Sequence, residues 1–310
     1  MTAEPSDDDP TTDDEAEKYD PGPINQRQET PHAQRFLKAQ SRLYSDAENI
    51  RKLRLPVTAA LAGLSVLLGL ALPDARTVIG VAGVVVSFLW SVLAFVPERR
   101  RRNDAVATQE EFDCYVYDLP WKPSAVDHPS ATTVAEAAER YEGERMARWY
   151  PRTGPLPRPF DILVCQRSNL GWGTASHRQY SAFLIVILLA LVAVTVLIGW
   201  LVDDGLLVVL PLLAPVQGVF ELSRDHRTSA DDKEKAEAKV RQAWEGALVD
   251  PATLSIADCR DIQDRILSMR AGNASVPDWF DNWRRNTYEA SMRQSTNVYI
   301  EQAVQANITN

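Results

Sequence analysis

Four uninterrupted apolar runs divide an otherwise polar chain, and they come as two pairs. Residues 55–72 (LPVTAALAGLSVLLGLAL) and 77–96 (TVIGVAGVVVSFLWSVLAFV) flank the turn Pro73-Asp74-Ala75-Arg76. Residues 181–202 (SAFLIVILLALVAVTVLIGWLV) and 205–220 meet at Asp203-Asp204-Gly205. None of the runs contains a charged side chain. At helical rise the third is roughly 33 Å long, the first about 27 Å and the fourth about 24 Å, the scale of a hydrocarbon core. The pattern predicts two transmembrane hairpins, 55–96 and 181–222.

Between and around them the pattern turns amphipathic. Residues 32–54 follow Pro31 and repeat apolar positions (Phe36, Leu37, Leu43, Tyr44, Ile50, Leu53) at helical spacing, which predicts a juxtamembrane helix. Pro97 is expected to end the second span. Within the insert 97–180, one helix should close at Leu119-Pro120-Trp121. A second should start from a capping box of Thr133 and Glu136 and run to Tyr150-Pro151. A proline-rich connector then leads to Phe160–Cys165, read as a short strand or buried turn. After the fourth span, residues 223–250, 257–270 and a stretch from Pro277 to about 305 read as helices. Trp279, Phe280 and Trp283 mark the start of the last one, where core packing or interfacial anchoring explains them as well as ligand stacking does.

Basic residues set the expected orientation. Arg51, Lys52 and Arg54 precede the first span, Arg99 to Arg102 follow the second, Arg167 and Arg178 precede the third, and Arg224 and Arg227 follow the fourth. The two short connections hold only Arg76 against three aspartates. Positive residues stay inside, which places both termini and the insert in the cytoplasm of a multi-pass membrane protein.

Composition changes this picture in one place. The formal net charge of the 310 residues is −9, but residues 1–20 carry nine acids against Lys18. The acidity belongs to a tail, expected to be disordered over 1–25. The mean hydropathy of −0.23 averages soluble and membrane parts. Cys114, Cys165 and Cys259 are far apart and read as reduced thiols. The resulting division is tail 1–25, juxtamembrane helix 26–54, hairpin 55–96, insert 97–180, hairpin 181–222 and C-terminal helical region 223–310. The fold class is all-α, a polytopic membrane protein with a mostly helical cytosolic domain.

Candidate chemistry is sparse. No phosphate loop, GxSxG elbow or HExxH is present, and the four histidines lack metal spacing. The expectation is a non-enzyme with no metal, no cofactor and no DNA partner. Spans without ionisable residues argue against a coupled transporter. Polar or kink-forming positions for a pore or gate are Ser87, Ser91, Thr195, Pro211, Pro215 and Gln217. Pro211 and Pro215 each remove a backbone donor and predict a kinked fourth span. Ala59 and Gly63, and Ser87 and Ser91, lie four apart and let helices approach closely. One four-helix subunit is too thin for a wide pore, so a pore implies a homo-oligomer in the bilayer.

Asp118-Leu119-Pro120-Trp121, Trp149-Tyr150-Pro151 and Cys165-Gln166-Arg167-Ser168-Asn169, set between two hairpins and a helical C-terminus, resemble the SMODS-associating four-transmembrane effector family (S-4TM) over roughly residues 25–300. The resemblance implies a bacterial CBASS-type anti-phage effector. It would compromise the inner membrane, and cause abortive infection, once a partner nucleotidyltransferase makes a cyclic-oligonucleotide messenger. An anionic ligand with flat bases calls for arginines with aromatic partners. The candidates are Arg148, Trp149, Tyr150, Arg152, Arg158, Arg167 and Trp172. Two alternatives stand beside this reading: a membrane-anchored scaffold without a pore, and a small-solute channel or transporter.

Overall fold

A computed structural model describes residues 19–122, 127–143, 149–202, 209–272 and 276–310. The side chains of residues 55, 172, 278 and 281–289 lie outside this description, as do residues 1–18, the connection Asp203-Asp204-Gly205 and Arg148. All regular structure among the described residues is helical. The helices are α1 (Pro23–Gln28), α2 (Pro31–Ala71), α3 (Arg76–Tyr117), α4 (Ala131–Glu139), α5 (Phe160–Leu201), α6 (Leu213–Val249), α7 (Ile256–Gly272) and α8 (Asp278–Gln305). Short 3₁₀ turns at Pro73–Ala75, Leu210–Leu212 and Pro251–Thr253 join them.

The long helices are longer than the apolar runs. The juxtamembrane helix and first span form one helix of 41 residues, with Pro56 inside it. Near Pro56 the Arg54 carbonyl accepts from Thr58 Oγ1 at 2.8 Å and, across the contact with α3, from Trp90 Nε1 at 3.3 Å. Pro97 likewise does not end its helix, because α3 runs on to Tyr117. A proline costs one backbone bond, and packing on both sides outweighs it here. Beside Pro97, the buried Glu98 pairs with Arg54 across the α2–α3 contact at 3.1 Å, and Ala105, Val106 and Phe112 are buried beyond it. The helix stops where Asp118 turns left-handed (φ 58°) and Leu119 N–H returns to the Cys114 carbonyl, with Pro120 barring continuation.

Two further expectations are corrected. Phe160–Cys165 is the first turns of α5, not a strand or turn; its continuous apolar run does not by itself separate strand from helix. The helix α4 ends at Glu139 rather than Tyr150, and its N-cap is Ser130, so Thr133 and Glu136 form no capping box. The kink expected at Pro211 and Pro215 falls on a run of which residues 203–208 lie outside the described residues. Pro211 lies in the 3₁₀ turn before α6 and Pro215 in the first turn of α6, where a missing donor costs little. At the other end of the chain, Gly22, Ile24 and Asn25 are buried where α1 begins, while Asp20, Pro21 and Pro23 are exposed.

Three helices among the described residues are long and apolar enough to cross a membrane, covering Pro31–Ala71, Pro73–Tyr117 and Phe160–Leu201. Their outward faces expose Leu67, Val78, Phe88, Leu93, Val186 and Leu189, as lipid-facing helices do. The fourth apolar run lies only partly within the description, entering α6 at Leu213. The close approach between spans is at Gly83, not Gly63. A Cβ on Gly83 would collide with Ser65 of α2 and crowd Pro211, whereas a Cβ on Gly63 meets nothing within 4 Å. Beyond the spans, one apolar core gathers Leu37, Phe112, Tyr117, Leu163, Trp244, Ile262 and Ile300 from α2, α3, α5, α6, α7 and α8.

Candidate functional site

The polar centre of the soluble part lies between α3 and α7. On α3, Glu110 and Asp113 stand three residues apart and so share a face. Both are buried, to 1 % and 0 % exposure. On α7, Arg260, Gln263 and Arg270 share the facing stripe. Arg260 Nη2 donates to Glu110 Oε1 at 2.6 Å, and Arg270 Nη1 to Asp113 Oδ2 at 2.6 Å. Gln263 Nε2 lies between the two carboxylates, 2.8 Å from Glu110 and 2.9 Å from Asp113. Two buried acids thus face two guanidiniums, with an amide bridging them, the arrangement that makes burial of charge tolerable.

Three segments far apart in sequence converge on this clamp. Pro120, of Asp118-Leu119-Pro120-Trp121, offers its carbonyl to Arg260 Nη1 at 3.1 Å. Tyr150 donates its hydroxyl to Asp113 at 2.5 Å. Gln166 donates to the Cys259 carbonyl at 2.8 Å and to Gln263 Oε1 at 3.2 Å, and Asn169 reaches the Tyr150 hydroxyl at 3.4 Å. Helix α1 holds the Tyr150 loop from the other side. Asn25 Nδ2 donates to the carbonyls of Tyr150 (3.0 Å) and Pro151 (2.9 Å), and Gln28 Oε1 accepts from Tyr150 N–H at 2.8 Å.

Burial and neighbouring charge set the protonation. Burial, and then the charge of Asp113, push the Glu110 carboxyl up, with Arg260 opposing. Burial pulls Arg260 and Arg270 down, but Glu110 and Asp113 respectively outweigh it, so both are held above the ordinary guanidinium range. Burial, then Asp113, raises Tyr150 well above the phenol range. The Cys114 thiol, 3.1 Å from Arg260 Nη1, is pushed up by burial and by Glu110. Its sulfur is therefore a protonated member of the network rather than a thiolate.

The sequence-proposed ligand residues are distributed over several places. Tyr150 is buried inside the clamp, while Trp149 beside it is half-exposed and meets Phe112 edge-on at 6.4 Å. Arg152 reaches the Tyr19 carbonyl at 3.5 Å. Arg158 pairs with Asp161 at 3.4 Å and, with Arg27, converges on Asp118. Arg167 lies over the Tyr299 ring at 4.2 Å and 3.7 Å from Glu237, on the α6–α8 side of α5. Of the pore candidates, Ser87 is fully buried, Thr195 returns its hydroxyl to the Leu191 carbonyl at 2.8 Å, and Gln217 donates to Glu221 at 2.9 Å on an exposed face. Pro211 packs near Gly83, where α2, α3 and the start of α6 meet.

Sequence reading missed Glu110, Asp113, Arg260, Gln263 and Arg270. The available signal was a pair of complementary stripes. Arg260, Gln263 and Arg270 interrupt the apolar side of α7 at helical spacing, and Glu110 and Asp113 do the same on α3. A second cluster was missed because its members are 49 residues apart. His177 Nδ1 and His226 Nδ1 lie 2.9 Å apart, both buried, where α5 and α6 leave the membrane. One turn further on, Ser181 Oγ donates to the Ser223 carbonyl at 2.9 Å.

Two helical hairpins, carrying a soluble core assembled from the segments that flank them, define a multi-pass α-helical membrane protein. The family model for the SMODS-associating 4TM effector domain matches residues 22–298, so the chain belongs to that family of four-transmembrane effectors. A probable CBASS effector molecule of Bacillus cereus (strain VD146) is 22 % identical over 229 residues, covering 69 % of this chain and 76 % of the relative. Family and relative together indicate a CBASS effector. No solved structure matches the chain.

Proposed function

We propose that this CBASS effector permeabilises the bacterial inner membrane when its soluble part registers a cyclic-oligonucleotide second messenger. The observation that carries the reading is helix continuity. The first three spans pass without a break into the soluble core through α2, α3 and α5, and α6 carries the end of the fourth run into the same core. The acidic half of the clamp, Glu110 and Asp113, lies on one of these continuous helices, α3, and Arg260, Gln263 and Arg270 hold it from α7. A ligand that rearranges the clamp therefore moves rigid levers that end in the bilayer, and it shifts the equilibrium only by its differential affinity for the two arrangements. The exposed Trp149 and the partly exposed Arg152 and Arg158 are the proposed contact for an anionic, flat-based ligand. Homo-oligomerisation is part of the proposal, since four helices enclose too little space for a wide path.

The test is dye release from liposomes carrying the purified full-length protein. Addition of the cyclic oligonucleotide made by its partner synthase is expected to release dye, and Arg158→Ala is expected to weaken the response. Binding without release would favour a membrane-anchored scaffold. Release without ligand would favour a constitutive channel.

A further inference from the structure

The start of α8 lies at the level where the second hairpin leaves its apolar layer. Val276 and Phe280 join Tyr180, Leu184, Val219 and Leu222 in one apolar cluster, with Ile187, Leu188 and Leu191 against it. Leu184 is the fourth residue of the uncharged run that begins at Ser181, and Val219 is the last residue but one of the fourth run. The N-terminal turn of α8 therefore packs about one helical turn, roughly 5 Å, inside the apolar boundary. It belongs to the soluble helices by sequence and to the membrane border by position.

Within that turn the two aromatic side chains diverge. Phe280 is buried and meets Tyr180 at 5.1 Å. Trp279 is 53 % exposed and meets Phe183 edge-on at 5.9 Å, and Phe183 is itself 40 % exposed. Val186, three residues along the same face of α5, is also exposed. Phe183 and Val186 belong to a membrane span, so the surface they expose faces lipid. Trp279 continues that surface without a break to the level where the span ends. A large amphipathic ring in this position matches the aromatic belt at a membrane–water boundary, with its apolar body among acyl chains and its indole N–H among headgroups.

We infer that Trp279, with Phe183 beside it, is a lipid-interface anchor. The first turn of α8 inserts at the headgroup level of the leaflet next to the soluble part, and phospholipid is what covers this surface. The consequence is mechanical. Arg270 is fixed in the polar clamp and Trp279, nine residues later, is fixed at the bilayer boundary, so the C-terminal helices link the two. The inference rests on the membrane assignment alone. It stands or falls separately from permeabilisation and from any nucleotide.

The experiment places a fluorophore at Trp279→Cys in the full-length protein, reconstituted in phosphatidylethanolamine–phosphatidylglycerol vesicles. Cys114, Cys165 and Cys259 are buried, so the unsubstituted protein is the labelling blank. Reference positions are Val249→Cys, at 89 % exposure, and Val298→Cys, far along α8. A lipid carrying a nitroxide high on its acyl chain is expected to quench position 279 about threefold more than either reference, and iodide to do the reverse. Iodide access at 279 equal to that at 249 overturns the inference. Protection from both quenchers also overturns it, because a second protein surface and not lipid then covers the ring. A label-free version compares the native protein with Trp279→Phe in vesicles of brominated lipid. The emission lost on substitution is expected to be the lipid-quenched part, and an unquenched difference contradicts the anchor.

Discussion

At Asp113 three donors from three segments share one buried carboxylate: the Tyr150 hydroxyl, Gln263 Nε2 and Arg270 Nη1. Removing one partner of a buried pair leaves the other charge uncompensated, so Asp113→Ala is expected to destabilise the protein by roughly 3–5 kcal/mol. Pairing it with Arg270→Met should recover much of the loss, and thermal unfolding in detergent reads both. The histidine pair gives a pH dependence at the same scale. Burial first, then Lys233 and the partner histidine, lowers His177 to about 2, and burial with Arg51 and Lys233 lowers His226 to about 3. Glu48 acts on Tyr180, whose ring lies edge-on to His226. Both imidazoles stay neutral in the folded protein while their unfolded counterparts take up protons near 6.5. Stability is therefore complete above that pH and falls below it, with a slope approaching 1.4 kcal/mol per pH unit for each histidine. His177→Gln with His226→Gln should flatten that slope in detergent unfolding between pH 6.5 and 4. A sequence reading sees Tyr150 as an exposed stacking aromatic and these histidines as scattered. Burial and long-range pairing decide both, and neither is written in local spacing.

At the scale of elements, the apolar runs and the helical nature of the flanks were legible because length and uniform hydrophobicity suffice to mark a span. Boundaries were not. Proline at 97 reads as a stop, yet α3 continues, as α2 does through Pro56, because tertiary contacts on both sides exceed the cost of one lost backbone bond. Glycine shows the same limit. Gly63 and Gly83 look equivalent in sequence, but only Gly83 meets another helix closely. Gly83→Val is expected to cost about 1–3 kcal/mol by overpacking against Ser65 and Pro211. Gly63→Ala should instead be neutral, or stabilising by up to about 1 kcal/mol through helix propensity. Thermal unfolding of the two variants side by side checks the contrast. Pro211→Ala together with Pro215→Ala is expected to leave membrane insertion intact and to weaken toxicity in cells. Full toxicity in that double variant would assign both prolines to packing alone.

For the whole molecule, two hairpins and a soluble helical part could be read from the chain, and so could the three short segments around Pro120, Tyr150 and Gln166 as its distinctive pieces. Their meeting place could not. They lie on different elements, and only the fold brings them to Glu110, Asp113 and the α7 stripe. That meeting place gives the effector reading a physical route, from a soluble clamp along unbroken helices to the bilayer. The most direct measurement is membrane potential in bacterial cells expressing the full chain with its activated synthase, followed with a voltage-sensitive dye. Depolarisation that requires both the effector and the messenger is the predicted result. A membrane potential that stays intact while the messenger accumulates would contradict the account.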